Sequence, residues 1–258
     1  MANRKNKIII LTQNDPFYLP EAINYFFETL NANYEVACIA ILPQSVSGKR
    51  QWFFQKIIST LRTFGLVFFL KYSIKYVTKK LIMRRSIFRV AQKFDISTLT
   101  VTGSVNDRRN LQELSKYKPD VFVSIGASQI FKSELISMAP LGCLNLHTGL
   151  LPKYRGLMPT FWTLLNEEDY IGVSVFLVDE GIDSGPIVVQ RKVRIENKSQ
   201  SELIKCTKKI GMDSIVEALE LLQKENVEYF PNRAEHATYF GFPTRQDVLE
   251  FLSKGKRF

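Results

Sequence analysis

The chain has 258 residues, 45% hydrophobic and 23% charged, which is the balance of an ordinary soluble globular protein with a sizeable core. Its three cysteines are far apart and lack Cys-x-x-Cys spacing, so we expect neither disulfides nor a metal site, and a reducing, cytoplasmic setting fits. No apolar run reaches the ~18 residues that a membrane span needs.

The net charge of +10 is concentrated in one segment. Between Val36 and Phe94 the sequence contains no Asp or Glu. The basic residues of that segment are Lys49, Arg50, Lys56, Arg62, Lys71, Lys75, Lys79, Lys80, Arg84, Arg85, Arg89 and Lys93. The rest of the chain, taken together, is close to neutral.

The chain begins with a pattern typical of a βαβ unit. An apolar run predicts a first buried strand at 8–11, a helical pattern follows at 20–30, and a second strand is predicted at 36–42. This order favours a parallel sheet with helices on its faces.

A basic insert follows. From 51 to 93, apolar residues recur at helical spacing with Lys and Arg between them, and Gly65 interrupts the pattern. We therefore expect two or three amphipathic helices, inserted into the α/β order at about 45–94.

Strands and helices then alternate again. We predict strands at 97–101, 121–125, 143–147, 172–178 and 187–195, and helices at 106–117, 133–138, 159–165 and 200–225. A final helix is predicted after Thr244, with Thr244 as its N-cap and Asp247 at its third position.

Two polar side chains lie on the predicted strand 143–147. Residues two apart on a strand project from one face, so Asn145 and His147 could both reach one reacting carbonyl, as acyl transfer to an amine requires. A lone His beside a strand is more often structural, and Asn often only turns the chain. Asp183 lies in a turn-rich run, where both an Asx-turn and a catalytic loop fit.

Several motifs follow one another from residue 144 to residue 190. They are Leu144-Asn145-Leu146-His147-Thr148-Gly149-Leu150-Leu151-Pro152-Lys153-Tyr154-Arg155-Gly156, Gly172-Val173-Ser174-Val175, Asp183-Ser184-Gly185 and Gln190. Together they are similar to the N10-formyltetrahydrofolate-dependent formyltransferases. The resemblance implies that Asn145, His147 and Asp183 are catalytic and that N10-formyltetrahydrofolate is the co-substrate. Asn145 and His147 would donate to the oxyanion, and Asp183 would assist the proton relay.

The resemblance also implies where folate binds. The segment 124–131 resembles the family's folate-side loop, although a simple βα turn would read the same way. We expect the pterin in a largely apolar pocket between this loop and the one holding Asp183. The residues assigned to it are Ser128, Gln129, Ile130, Leu151, Asp179 and Ile182. One departure is Gly149, which stands where the family usually has Ser.

The resemblance implies an α/β, Rossmann-like fold, which is an open, mostly parallel sheet flanked by helices, with the basic helical insert and a short C-terminal extension. We assign 1–198 to the catalytic domain, and 199–258 to a C-terminal helix and a small extension.

Three acceptors are weighed. Glycinamide ribonucleotide formyltransferases have a Gly-Ser-rich phosphate loop after the first strand, and residues 12–17 contain no glycine. Methionyl-tRNA formyltransferases carry a C-terminal barrel domain, and this chain ends about 70 residues after Gln190. We therefore favour the amine of a nucleotide-linked amino sugar, with Tyr154, Arg155 and Trp162 assigned to it.

The sequence constrains the binding partners less than it constrains the reaction. The basic insert fits an amphipathic surface on the inner face of an anionic membrane, and equally a helical subdomain packed on the core with its charge solvated. A homodimer is expected only by analogy. A non-catalytic folate- or membrane-binding homologue is the last alternative, and the presence of all three catalytic residue types argues against it.

Overall fold

The computed structural model describes residues 4–44, 53–224 and 226–258. The strands are β1 (Asn6–Gln13), β2 (Tyr34–Leu42), β3 (Thr98–Thr100), β4 (Val121–Ile125), β5 (Cys143–His147), β6 (Arg155–Gly156), β7 (Tyr170–Leu177), β8 (Ile187–Arg194) and β9 (Tyr239–Phe240). The α-helices are α1 (Leu19–Thr29), α2 (Phe53–Phe64), α3 (Leu66–Val77), α4 (Ile87–Lys93), α5 (Arg108–Ser115), α6 (Ser133–Ile136), α7 (Pro159–Leu165), α8 (Gln200–Leu221) and α9 (Arg245–Ser253).

The main sheet has seven strands in the order β3-β2-β1-β4-β5-β7-β8. The first five of that order run parallel, and β7 and β8 are antiparallel to their neighbours. The predicted α/β class with a mostly parallel sheet is therefore confirmed. Because Thr12 pairs with Ile125 and Ile125 with Leu146, the carboxyl ends of β1, β4 and β5 meet at one edge.

Helices cover both faces of the sheet and bury it. Alternate residues of each central strand enter different clusters, so Ile8 and Ile10 pack on one face and Ile9 and Leu11 on the other. Helix α8 begins with a capping box at Ser199 and packs into the first of these clusters. The core thus continues across the boundary that we drew at residue 198, and that division stays a prediction.

The basic insert consists of α2, α3, a π-helical turn (Thr78–Ile82) and α4. Gly65 separates α2 from α3 with a φ of +84°, a conformation that glycine adopts without strain, and this explains the predicted interruption. Residues 45–52 of the predicted insert lie outside the described residues.

The C-terminal segment packs against residues from the middle of the sequence. Strand β9 pairs in parallel with β6, so that Arg155 lies beside Tyr239 and Gly156 beside Phe240. Helix α9 carries the predicted capping box of Thr244 and Asp247. In the part of the chain that the structure describes, no helix is long and apolar enough to cross a membrane.

Candidate active site

Asn145 and His147 lie at the carboxyl end of β5. Leu144 and Leu146 enter the core on the α8 side, so Asn145 and His147 project from the opposite face, as the strand alternation predicts. The His147 side chain is only 6% exposed. The Asn145 amide makes no hydrogen bond with the described residues, which leaves its donors available for a ligand.

The structure brings Asp183 to His147. Asp183 has a φ of +49°, and its Oδ2 lies 3.5 Å from His147 Nδ1 and accepts a 2.8 Å hydrogen bond from the Gly156 amide. Nearby Gly185 folds back so closely that a Cβ there would meet the Leu177 carbonyl oxygen at 1.8 Å. The tight turn therefore sets the Asp183 carboxylate against the imidazole.

The His147 ring is held at both nitrogens. Its Nε2 lies 2.7 Å from the Tyr154 carbonyl oxygen, and a carbonyl can only accept, so Nε2 carries a proton. Its Nδ1 faces the Asp183 carboxylate oxygen at 3.5 Å. The imidazole is thus oriented between a carbonyl and a carboxylate, where it can exchange a proton with a bound substrate.

The segment after β5 is fastened to the antiparallel strands by motif residues. Ser174 Oγ donates to the Gly149 carbonyl at 2.8 Å, and Gln190 Nε2 donates to the Leu151 carbonyl at 2.9 Å. A Cβ at Gly172 would meet the Leu150 Cα at 2.2 Å, so only glycine fits beneath this segment. These residues therefore position the loop that surrounds His147.

Position 149 also has no room for a side chain, because a Cβ there would contact His147. A Cβ built on Gly149 lies 2.6 Å from His147 Nε2 and 2.9 Å from His147 Cδ2, closer than real Cβ atoms approach other groups, and it lies 3.2 Å from the Pro159 Cβ. The imidazole cannot swing away freely, because Tyr154 and Asp183 hold it.

We expect Gly149→Ser to lower turnover by about tenfold or more through displacement of His147. Steady-state kinetics with saturating substrates measures this. Gly241→Ser is the matched control, since a Cβ there meets nothing within 4 Å. Equal activity of both variants with wild type would contradict the steric role.

The three residues assigned to the acceptor contact other parts of the protein. Tyr154 and Trp162 both stack on Phe240, at 5.3 and 4.8 Å between ring centroids. Arg155 is 1% exposed and donates to Tyr239 Oη and Asn232. Their direct contact with an acceptor stays a prediction, and in this structure they join the site to the C-terminal segment.

Asn232 is a residue that the sequence analysis missed. Its side-chain amide donates to the carbonyls of Asp183 and Gly185, at 3.0 and 2.8 Å, and its Oδ1 accepts from Arg155 at 2.8 Å. It therefore ties the Asp183 loop to the buried arginine. An Asn after a Pro in a polar stretch, as at Pro231-Asn232, resembles an ordinary turn, so no sequence signal marked it.

We expect Asn232→Ala to lower the free energy of unfolding by about 2–4 kcal/mol, because it leaves buried polar groups without partners. Turnover should fall with it, since the Asp183 loop loosens. Thermal melts and kinetics measure both effects. Asn226→Ala, at an exposed position, is the control, and a melting temperature equal to that of this control would refute the role.

The folate-side residues lie on loops that flank β5. Ser128 Oγ is buried without a hydrogen-bond partner among the described residues, and Ile130 and Ile182 are 51% and 50% exposed. Two exposed apolar side chains and an unpartnered hydroxyl fit a flat ring with polar edges. Gln129 and Asp179 instead bond within the protein, to Gly103 and Val105 and to Gly181 and Ser184, and Leu151 is buried.

A cleft of about 680 Å³ opens at the carboxyl end of β1. Its lining includes Gln13, which lies two strands from His147, roughly 10 Å at the usual strand spacing. The walls are largely aromatic, with lysines at one side; they include Phe17, Tyr18, Phe64, Phe68, Lys71, Tyr72, Lys75, Met158, Phe242 and Phe258.

Positive charge is crowded beside this cleft. The ammonium groups of Lys75 and Lys79 lie 5.6 and 5.5 Å from the centre of the Tyr18 ring. Burial, and then Lys205, lower the pKa of Lys75, whereas burial and Arg85 lower the pKa of Lys79. Burial lowers the pKa of Lys208 to about 8, against the opposing effect of Asp15. Such partly desolvated cations attract an anion.

Comparison with known proteins identifies relatives of this chain. The formyl transferase family model matches residues 69–219, more than half of the chain and inclusive of Asn145, His147 and Asp183. Methionyl-tRNA formyltransferase of Kosmotoga olearia is 32% identical over 164 residues, which cover 62% of this chain and 52% of that protein. The methionyl-tRNA formyltransferase of Carboxydothermus hydrogenoformans is 37% identical over 129 residues, which cover 50% of this chain and 42% of that protein. The chain spans about half the length of these curated relatives.

Solved structures share the fold at lower identity. An N-formyltransferase from Helicobacter canadensis, in complex with folinic acid and dTDP-3-aminofucose, is 20% identical with a TM-score of 0.59, covering 94% of this chain and 72% of that one. Glycinamide ribonucleotide transformylase 1 from Symbiobacterium toebii is 17% identical with a TM-score of 0.62, covering 90% and 96%. These structures share the fold of this chain, and the chain belongs to the formyl transferase family.

Proposed function

We propose that this protein transfers the formyl group of N10-formyltetrahydrofolate to a primary amine. The observation that carries the proposal is the contact of His147 with Asp183 and the Tyr154 carbonyl, beside the unengaged amide of Asn145. The folate co-substrate supplies an activated formyl carbon.

In this proposal Asn145, His147 and the folate-side loops have different roles in formyl transfer. The Asn145 amide is free to donate to the formyl oxygen where negative charge develops, and donors placed there lower the barrier. The His147 ring, held by Asp183, moves a proton between the attacking and leaving nitrogens. Folate is held by the loops that carry Ser128, Ile130 and Ile182.

For the acceptor, we propose the amine of a nucleotide-linked amino sugar. The cleft beside β1 supports this choice, since aromatic walls suit a base and the lysines suit a diphosphate. The structural relative crystallised with dTDP-3-aminofucose supports the same class of acceptor. The role of Tyr154, Arg155 and Trp162 in this proposal is to shape the wall between acceptor and catalytic residues.

Methionyl-tRNA is the second candidate, because the curated relatives named above are methionyl-tRNA formyltransferases. The crowded lysines are compatible with RNA phosphates as well. The two candidates therefore need a direct comparison.

The experiment incubates the protein with N10-formyltetrahydrofolate and each of three acceptor types: nucleotide-linked amino sugars, Met-charged tRNA and glycinamide ribonucleotide. Formation of an N-formyl product is followed by mass spectrometry. Formylation of an amino sugar, with a higher KM in Lys75→Glu, is the expected result. Product from tRNA alone would replace the sugar proposal, and no product from any amine would reject formyl transfer.

A further inference from the structure

Helix α3 presents an uncovered apolar stripe to the outside. At 3.6 residues per turn, Leu66, Val67, Leu70, Ile74 and Val77 fall within an arc of about 100°. Their exposed fractions run from 46% to 69%, and no residue of α3 is buried. Leu81, Ile82 and Met83 extend the exposed apolar surface past the end of the helix.

The other side of α3 accounts for its packing. Phe68 stacks on Phe64 and Tyr72, and Tyr72 in turn contacts Phe17, at 4.6, 5.6 and 4.7 Å between ring centroids. This aromatic side faces the cleft, so the helix is already anchored without its outer stripe. An exposed stripe of this extent, roughly 17 Å along the helix, marks an interaction surface.

The positive charge around the stripe indicates an anionic partner. Exposed Lys71 and Lys80 lie near it, and exposed Arg84 follows the π-helical turn. No acidic residue occurs between Val36 and Phe94. Among the described residues, the ion pairs of this region join Arg85 to Glu21 and Lys93 to Glu28. A second copy of the chain would bring this positive surface against itself, whereas an anionic bilayer complements it.

We propose that the outer face of α3, with the π-helical turn after it, docks on an anionic lipid surface. The apolar stripe enters the acyl boundary while the lysines remain among the headgroups, which is the way amphipathic helices bind membranes. The aromatic face of the same helix lines the cleft, so a docked molecule holds its cleft about one helix diameter, roughly 10 Å, above the acyl boundary.

Co-sedimentation of the full chain with vesicles tests this surface. We expect pelleting with vesicles of phosphatidylglycerol and phosphatidylcholine, little pelleting with phosphatidylcholine alone, and weaker binding at high salt. Ile74→Glu should lower the partition coefficient about tenfold or more, because burial of one such side chain contributes at least that factor. Leu249→Glu, the same kind of change at an exposed position of α9, should bind like wild type.

Two outcomes would overturn the proposal. One is equal, negligible pelleting of the wild type with both vesicle types. The other is a lipid-free dimer that Ile74→Glu converts to a monomer in analytical ultracentrifugation, which would assign the stripe to self-association. Circular dichroism confirms that both variants fold, and formyl transfer in solution should be unchanged in Ile74→Glu, because Ile74 does not line the cleft.

Discussion

Replacement of His147 by alanine should lower formyl transfer by about a thousandfold while tetrahydrofolate binding is retained. The substitution removes the imidazole that lies between Tyr154 and Asp183, and the loops that carry Ile130 and Ile182 are untouched. Single-turnover kinetics and calorimetric titration with tetrahydrofolate separate the two effects.

The chain offers a matched control, because it contains only two histidines. His236 lies in a 3₁₀ turn with its side chain 68% exposed, so His236→Ala should keep wild-type turnover. If His147→Ala melts early, His147→Gln tests the same point, since its amide can still donate to the Tyr154 carbonyl. Wild-type turnover in a folded His147 variant would be incompatible with the mechanism.

The Asp183→Asn variant should lose about a hundredfold in turnover with little change in stability. The amide oxygen can still accept from Gly156, and Asn tolerates the left-handed backbone at this position. What disappears is the negative charge 3.5 Å from His147 Nδ1, which would stabilise positive charge on the ring during proton transfer.

Asp95→Asn provides the comparison for that variant. Asp95 has a φ of +55°, close to the +49° of Asp183, but it is exposed and lies just after α4. Normal turnover in Asp95→Asn, together with a strong loss in Asp183→Asn, would assign the effect to charge at the site. Equal kinetics of the two variants would remove Asp183 from the mechanism.

The candidate catalytic residues could be predicted from the sequence because two of them share one short motif and the third belongs to the resemblance. Asn145 and His147 share a strand face by alternation alone, and the family resemblance added Asp183. The resemblance also includes Gly172, Ser174 and Gln190, but it gives no physical reason for these residue types. The structure supplies that reason, because these residues fasten the 149–151 segment.

The acceptor residues show the opposite case. Tyr154, Arg155 and Trp162 are assigned to the acceptor from the sequence. Their neighbours in space are Phe240, Tyr239 and Asn232, which lie some 70–90 residues away in sequence. No periodic pattern encodes such pairs, and the two-residue strands β6 and β9 are too short to predict.

The sequence by itself determined the order of strands and helices, the interruption at Gly65, the C-terminal capping box and the Asn-x-His motif, because periodicity, caps and glycine conformations are local properties of the chain. The tertiary structure decided that Arg155 is buried on Asn232, that Gly149 leaves room for the imidazole, and that one face of α3 lines the cleft while the other stays exposed. Those features depend on which segments, distant in sequence, pack together. An amphipathic pattern predicts that a helix has an apolar and a polar face, but it does not predict which part of the protein each face contacts.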